Sequence, residues 1–327
     1  MQAIVIREPG GPDVLEYRGI PDLKAQRGEV LVRIRATAVN RADVLQRQGK
    51  YPPPPGASPD IPGLEFAGEI AEVGDEFTGW RVGDRVFGLA TGGSYAQFIL
   101  AHPRTLSRIP EQLSFEEAAS LPEACITAYD AMVSQCELKS GETVLINGIT
   151  SGVGTAALQI ANAIGATVIG STRTESKIPR LEKIGTLKPV MVKSGKFAQE
   201  VIDLTNGGAD VVLELIGGNY VQEDLLCTTL RGRIILVGLL AGAKAEILFA
   251  TILAKRLQIF GTTMRGRPLE EKIIAAKQFQ KHVVPMIACG QVKPTIDRVF
   301  ALSEVADAHR FMESNESFGK IVLSVNH

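Results

Sequence analysis

The sequence predicts an α/β protein in which a doubly wound parallel sheet is joined to a β-rich domain. Three observations carry this. Beyond Gly141, six short apolar runs (TVLIN, ATVIGS, VMV, DVVLEL, RIILVGL and LQIFGTT) alternate strictly with helical patterns, as in a parallel sheet covered on both faces. Up to Leu121 the pattern is instead one of short strands punctuated by Gly and Pro. Finally, a glycine-rich run, NGITSGVGTAA, follows the first of the six strands, at the strand-to-helix turn where a doubly wound sheet binds its ligand. At roughly 150 residues per domain, 327 residues make about two.

In chain order, AIVI, VLEYR, EVLVRIRATAV, EFAGEIAEVG, RVFGL and YAQFIL read as strands of a mostly antiparallel region. Between them, QGKYPPPPGASPDIP is a stiff loop, because consecutive prolines fix an extended path. Its flanking strands belong to one region, which favours a binding loop over a linker. After Ser114 the period changes to 3.6, and SFEEAASL and PEACITAYDAMVSQCEL read as helices, with Pro122 at a helix start. Further helices are expected over 152–164, 174–184, 196–204 and 221–230. A long one over 269–287 precedes the strand DRVF, a helix over 303–312 and the strand GKIVLSV.

Composition excludes several classes. Lys plus Arg number 35 against Asp plus Glu 36, so no global field attracts nucleic acid or an anionic membrane. Aromatics at 6% disfavour a base-stacking platform. The four cysteines, Cys125, Cys136, Cys227 and Cys289, form no CxxC pair and no zinc spacing, and read as reduced thiols in a cytoplasmic protein. Positions 143–172 carry no charge, yet ten are Thr, Ser, Asn or Gln and five are Gly, too polar a mixture for a membrane span. The first positions, MQAIVIREPGG, lack the basic then apolar layout of a signal peptide and read as a strand.

Three constellations carry chemistry. In NGITSGVGTAA, Gly148, Gly152 and Gly154 let the backbone turn tightly and approach a pyrophosphate held by amides at the following helix start. The next strand ends Gly170, Ser171, Thr172, Arg173, with Lys177 one helical turn on. Hydroxyls and two cations, where an NAD site would place Asp or Glu, favour NADPH. The third, TAVNRADVLQRQGKY, puts Asn40 at a helix N-cap with Asp43 as a first-turn acid; Asn40, Asp43 and Tyr51 either serve that structure or edge a pocket.

VNRADVLQRQGKYPPPPGAS, PGLEFAGEIAEVG, LPEACITAY, NGITSGVGTAALQIA, MRGR and FGKIVL resemble the medium-chain dehydrogenase/reductase superfamily. The resemblance is closer to its zinc-free, zeta-crystallin-type quinone oxidoreductases, and within these to the branch of the tumour-suppressor-inducible quinone oxidoreductase. It implies a GroES-like domain, residues 1–122 and 266–327, around a Rossmann domain, residues 123–265, with the active cleft between them. Asn40, Leu64 and Glu123 match the catalytic metal ligands of the zinc-dependent relatives, and an amide and an alkyl group cannot replace thiolate and imidazole. Thr127 matches a contact to the nicotinamide end; Ser151, Gly152 and Val153 match pyrophosphate contacts; Lys177 matches a 2′-phosphate ligand. Val192 stands where many relatives have a Tyr near the adenosine phosphate. Asn40, Asp43 and Tyr51 match residues beside the nicotinamide, and Lys320 matches a lysine near the same cleft. The runs ending at Gly217 and Gly218 and at Leu239 follow later strands, where strand ends face the cofactor.

The expected function is zinc-independent, NADPH-dependent reduction of quinones by a homodimer. Tyr51, Asn40 and Arg265 are the candidate donors, and Asp43 stands beside them. Reduction of enones or alkenals, and a nucleotide-loaded binding protein with little turnover, are the alternatives.

Overall fold

The computed structural model describes residues 1–75 and 79–326. Fifteen strands are present among them: β1 (Gln2–Ile6), β2 (Leu15–Gly19), β3 (Val30–Val39), β4 (Glu65–Val73), β5 (Arg85–Leu89), β6 (Phe98–Ala101), β7 (Leu106–Arg108), β8 (Thr143–Asn147), β9 (Thr167–Thr172), β10 (Lys188–Met191), β11 (Ala209–Glu214), β12 (Thr228–Leu236), β13 (Gln258–Gly261), β14 (Ile296–Ala301) and β15 (Lys320–Ser324). The chain divides into two units. One comprises Met1–Ile126, Met264–Ala288 and Pro294–His327, the other Thr127–Thr263 and Cys289–Lys293. Arg265 therefore goes with the β-rich unit. The short return of 289–293 goes with the second unit, where the amide and carbonyl of Lys293 both bond the Gln159 side chain, at 2.8 and 3.1 Å.

In the β-rich unit β1 and β2 form a ribbon, and a larger sheet runs β14-β15-β3-β4-β5-β7, with β6 also on β3. β3 is its spine, ten residues long, because Val30, Val32 and Ile34 on one face pack with Phe66, Ile70, Ile321 and Leu323. β14 and β15 are parallel, joined through the helix Val305–Glu313. The helical stretch Leu269–Gln278 continues through a wider π-type turn, Phe279–Val283, into Val284–Ala288, which places Phe279 edge-on against Phe87 at 5.4 Å.

The second unit is a six-stranded, all-parallel sheet in the order β10-β9-β8-β11-β12-β13. Strand order reverses on either side of β8, and the crevice at the carboxyl ends there is the usual ligand position in such sheets. Its core joins Leu145, Ile169, Val190, Val212 and Ile234. The expected helix over 221–230 runs instead Tyr220–Cys227, and β12 begins at Thr228, where Thr228 bonds back to the carbonyl of Asp224 at 2.6 Å and the β-branched pair Thr228 and Thr229 is extended. Likewise the stretch after Thr174 is one 3₁₀ turn, Glu175–Lys177, before a five-residue helix, Ile178–Glu182.

Candidate active site

The glycine-rich turn is built as its sequence requires. Ser151 caps the helix Gly152–Ile164, its hydroxyl accepting the Gly154 amide at 3.1 Å. The first-turn amides have no carbonyl partner within the helix, so the end carries a partial positive charge suited to a phosphate. Gly148 has φ +74°, and a methyl on Gly154 would stand 2.6 Å from the carbonyl oxygens of Gly148 and Ile149. Only glycine lets helix and turn pack this closely. Gly148, Ser151, Gly152, Val153 and Gly154 thus form one continuous cradle at the end of β8, and these residues fit a dinucleotide pyrophosphate.

Two loops beside it are locked together. The turn after β11 has Gly217 at φ +72° and Gly218 at φ +57°, and a methyl on Gly217 would come within 3.0 Å of the Gly238 and Gly242 oxygens. The Ile216 carbonyl accepts the Ala241 amide at 2.7 Å, and the Gly218 amide donates to Gly242 at 3.0 Å. Leu239, on the second loop, is exposed. Thr127, in the helix Pro122–Tyr129, is largely buried.

At the end of β9 one expectation is corrected. The Ser171 hydroxyl points inward, donating to Asn147 Oδ1 at 2.6 Å, and that of Thr172 accepts the Thr174 amide at 3.1 Å. Both side chains are buried. The Ser171 hydroxyl is taken by the polar interior, and that of Thr172 by the chain's own turn two residues on. A 2′-phosphate reading is left to Arg173, which is exposed, and Lys177, which is half-buried. Val192 is buried, its amide bonded to the Thr172 carbonyl at 2.9 Å.

In the β-rich unit the candidate residues belong to internal networks. Asp43 has no exposed surface; it accepts the amides of Asn40 at 2.8 Å and Gly63 at 2.9 Å, and the hydroxyl of Tyr95 at 3.2 Å. Burial pushes its carboxyl up to about 6, against those amide bonds. The chain continues from Tyr95 to His309 Nε2 at 3.3 Å, from His309 Nδ1 to Arg47 at 3.3 Å, and from Arg47 to Glu313 at 2.7 Å. A guanidinium only donates, so Nδ1 accepts, the ring proton sits on Nε2, and Tyr95 passes its own proton toward Asp43. Burial, then Arg47, hold His309 down at about 3, so the ring is neutral. Asp43 is a scaffold group, not a pocket-edge acid.

Asn40 and Lys320 belong to a second internal network. Asn40 Nδ2 donates to Glu65 at 2.9 Å, and its Oδ1 accepts the Lys320 ammonium at 2.6 Å. Lys320 reaches Glu65 at 2.6 Å as well, while the other Glu65 oxygen accepts the Glu123 amide at 2.8 Å. Burial works against the Lys320 charge, but Glu65 and Glu123 outweigh it and raise its pKa. With 4% exposure Lys320 is a buried ion-pair partner of Glu65. Glu65 is the hub that sequence reasoning missed; its one signal was a charge set in the apolar run of LEFAG. Tyr95, His309 and Arg47 were missed too, having no local pattern at all.

Arg265 is 5% exposed and donates to the carbonyl of Thr91 at 2.8 Å, the side chain of Gln46 at 2.5 Å and the carbonyl of Tyr51 at 3.4 Å. Its guanidinium lies 5.4 Å from the Tyr51 ring centroid. These contacts make Arg265 a clamp on the proline loop, with one N–H of each guanidinium nitrogen bonded to a protein atom. Tyr51, half-buried, is held on three sides: by Arg265, by the prolines that follow it, and through its amide bond to Leu45 at 3.2 Å.

Residues 26–111 match the alcohol dehydrogenase GroES-like domain, and residues 152–281 match the family described as zinc-binding dehydrogenase. The quinone oxidoreductase of Homo sapiens is 31% identical over 99% of this chain and 97% of its own length. Among solved structures, the Escherichia coli quinone oxidoreductase complexed with NADPH superposes with a TM-score of 0.88 at 25% identity, covering 99% of this chain and 100% of that one. The CurK enoyl reductase gives 0.87 at 28%, covering 99% of each chain. The fold and the glycine cradle define a nicotinamide-dependent oxidoreductase with a GroES-like and a Rossmann-like unit. The chain belongs to the medium-chain dehydrogenase/reductase superfamily.

Proposed function

We propose that this protein is a zinc-independent, NADPH-dependent quinone reductase, nearest within its superfamily to the zinc-free branch whose RQG–Tyr51–proline run it shares. The observation that carries the reading is the Asn40–Lys320–Glu65 network. At the positions matching metal ligands, an amide is engaged by a buried ammonium and a carboxylate, and Leu64 offers no donor. Such a site lacks a strong Lewis acid of its own, and a quinone needs little activation because its reduction makes it aromatic. The similarity to quinone oxidoreductases supports the same choice.

The bound dinucleotide would supply the hydride. The amides of Gly152 and Val153, with the Ser151 hydroxyl, bind its pyrophosphate, Arg173 and Lys177 its 2′-phosphate, and the loops of Gly217 and Leu239, with Thr127, the nicotinamide end. Tyr51 donates from its hydroxyl to the quinone oxygen, with Arg265 fixing the ring. The enoyl reductase likeness favours a second reading, reduction of an enone or enoyl thioester, and rates across a panel of quinones and enones separate the two. A homodimer is supported by β13, the outermost strand of its sheet, which exposes Ile259, and by the helix Phe249–Lys255, which exposes Phe249 and Leu253.

Lys177→Ala is expected to weaken NADPH by about 1–3 kcal/mol, the scale of a charge-assisted hydrogen bond, and to leave NADH nearly unchanged. Fluorescence titration of both cofactors checks this; equal affinity of the wild type for the two would contradict the assignment. Tyr51→Phe keeps the ring and removes the hydroxyl, so kcat/KM should fall by about tenfold, ~1.4 kcal/mol of transition-state binding. Unchanged kinetics in both Tyr51→Phe and Tyr51→Ala would remove Tyr51 from the site.

A further inference from the structure

The carboxyl ends of β9, β8 and β11 are tied by a polar cluster that the function above does not use. Asn147, the last residue of β8, donates from Nδ2 to Glu214 at 2.6 Å and to Asp224 at 2.7 Å. Glu214, the last residue of β11, accepts the Ile216 and Gly217 amides on its other oxygen. Its two oxygens thus receive three N–H donors, the pattern of a carboxylate. Asp224, on the helix Tyr220–Cys227, has no exposed surface; Oδ1 takes the one Asn147 bond, and Oδ2 meets no donor although it is buried. One nitrogen, Asn147 Nδ2, thus holds an oxygen of each carboxyl within hydrogen-bond distance of itself.

Two buried carboxyls gathered on one neutral amide nitrogen cannot both ionise without a cation. The charged and titratable groups around them do not supply one. Lys196 is paired with Glu223 at 2.9 Å, and the Lys255 ammonium is bonded to the carbonyls of Leu225, Leu226 and Thr228. Arg173 is exposed and acts on Tyr220; Glu223, Tyr220 and Cys227 add no positive charge. Burial first, and then Glu214, push Asp224 well above the ordinary carboxylate range, and burial raises Glu214.

We propose that Asp224 is a carboxylic acid donating from Oδ2 to Glu214, and that this acid–carboxylate pair is the positioning device for the Ile216–Gly218 turn and, through it, for the nicotinamide end of the cofactor. The second half rests on the dinucleotide reading given above. The route is short. Glu214 grips two amides of the turn, the turn is interlocked with the loop Gly238–Gly242, and neither glycine of the turn leaves room for adjustment. Losing the shared proton would set two negative charges against each other beneath both loops.

Asp224→Asn places an amide N–H where the proton sits and preserves the donor pattern at every pH. The sign follows from the raised native pKa: the unfolded carboxyl ionises near ~3.9, so unfolding releases a proton above that pH. The wild-type folding equilibrium constant, measured by urea denaturation of the apo protein between pH 5 and 9, should fall relative to Asp224→Asn by up to about tenfold per pH unit. The fall ends once pH passes the native pKa. Parallel profiles would overturn the acid assignment.

By fluorescence titration at pH 7, Asp224→Asn should bind NADPH within about threefold of wild type, and Asp224→Ala at least about tenfold more weakly. Should Asp224→Ala not fold, Asp224→Ser, small and unable to reach both partners, is expected to show the same loss. Wild-type affinity in the folded Ala or Ser variant overturns the positioning role. A wild-type protein binding neither NADPH nor NADH overturns the dinucleotide reading and the positioning role together, whereas the pH slope of the apo protein decides the acid pair independently.

Discussion

Glu65→Leu should lower the stability of the β-rich unit by about 3–5 kcal/mol, the usual result of removing one partner from a buried ion pair. Glu65 has no exposed surface, and its carboxylate is the counter-charge for Lys320 at 2.6 Å as well as an acceptor for Asn40 and the Glu123 amide. Leucine fills the volume but leaves an ammonium in an apolar interior with one amide oxygen and a distant carbonyl, Val39 at 3.4 Å. Lys320→Met in the same background should recover most of the loss, because replacing both charges removes the orphan. Chemical denaturation of the two single variants and the double variant measures the coupling. Additive effects would mean that the pair is not a unit and that the Asn40 network has another anchor.

Gly154→Ala should weaken NADPH binding by at least about a hundredfold, roughly 2.7 kcal/mol. The new methyl would meet Gly148 O, Ile149 Cα and Ile149 O, each at 2.6 Å, and all three are backbone atoms that no rotamer change can move. Either the helix start, which carries the amides assigned to the pyrophosphate, or the turn it rests on must shift. Overpacking of this kind also costs about 1–3 kcal/mol of stability. Gly11→Ala is the control, since nothing lies within 4 Å of its added methyl. A Gly154→Ala protein that binds NADPH as the wild type does would show that the cradle is elsewhere.

Both predictions concern residues whose importance was unequally visible. Gly154 stood out in the sequence because a glycine turn requires glycines in a fixed local order, and the strand before it and the helix after it, Gly152–Ile164, read correctly from periodicity. The six parallel strands were equally legible, since burial on both faces demands nearly continuous apolar runs, as in the buried VLIN of β8. Where β12 took over from a helix at Thr228, the side-chain bond to Asp224 decided, and periodicity could not anticipate it. Local chemistry also suggested Tyr51 beside its prolines, and Asn40 with Asp43 three residues later.

What those residues do was decided by partners far along the chain. Asn40 is held by Lys320, 280 residues away, and Arg265 grips Gln46 across 219. The Asp43 carboxyl is joined to Tyr95, and through it to a histidine 214 residues beyond that tyrosine. The Ser171 hydroxyl turned inward to Asn147 rather than outward to a phosphate. By itself the sequence determined the α/β class, the strand–helix alternation and the glycine cradle, because these depend on backbone sterics and on patterns within a few residues. The tertiary structure alone decided which polar side chains are scaffold and which remain open to a ligand, because a buried polar group takes whatever donor, acceptor or counter-charge the fold brings to it.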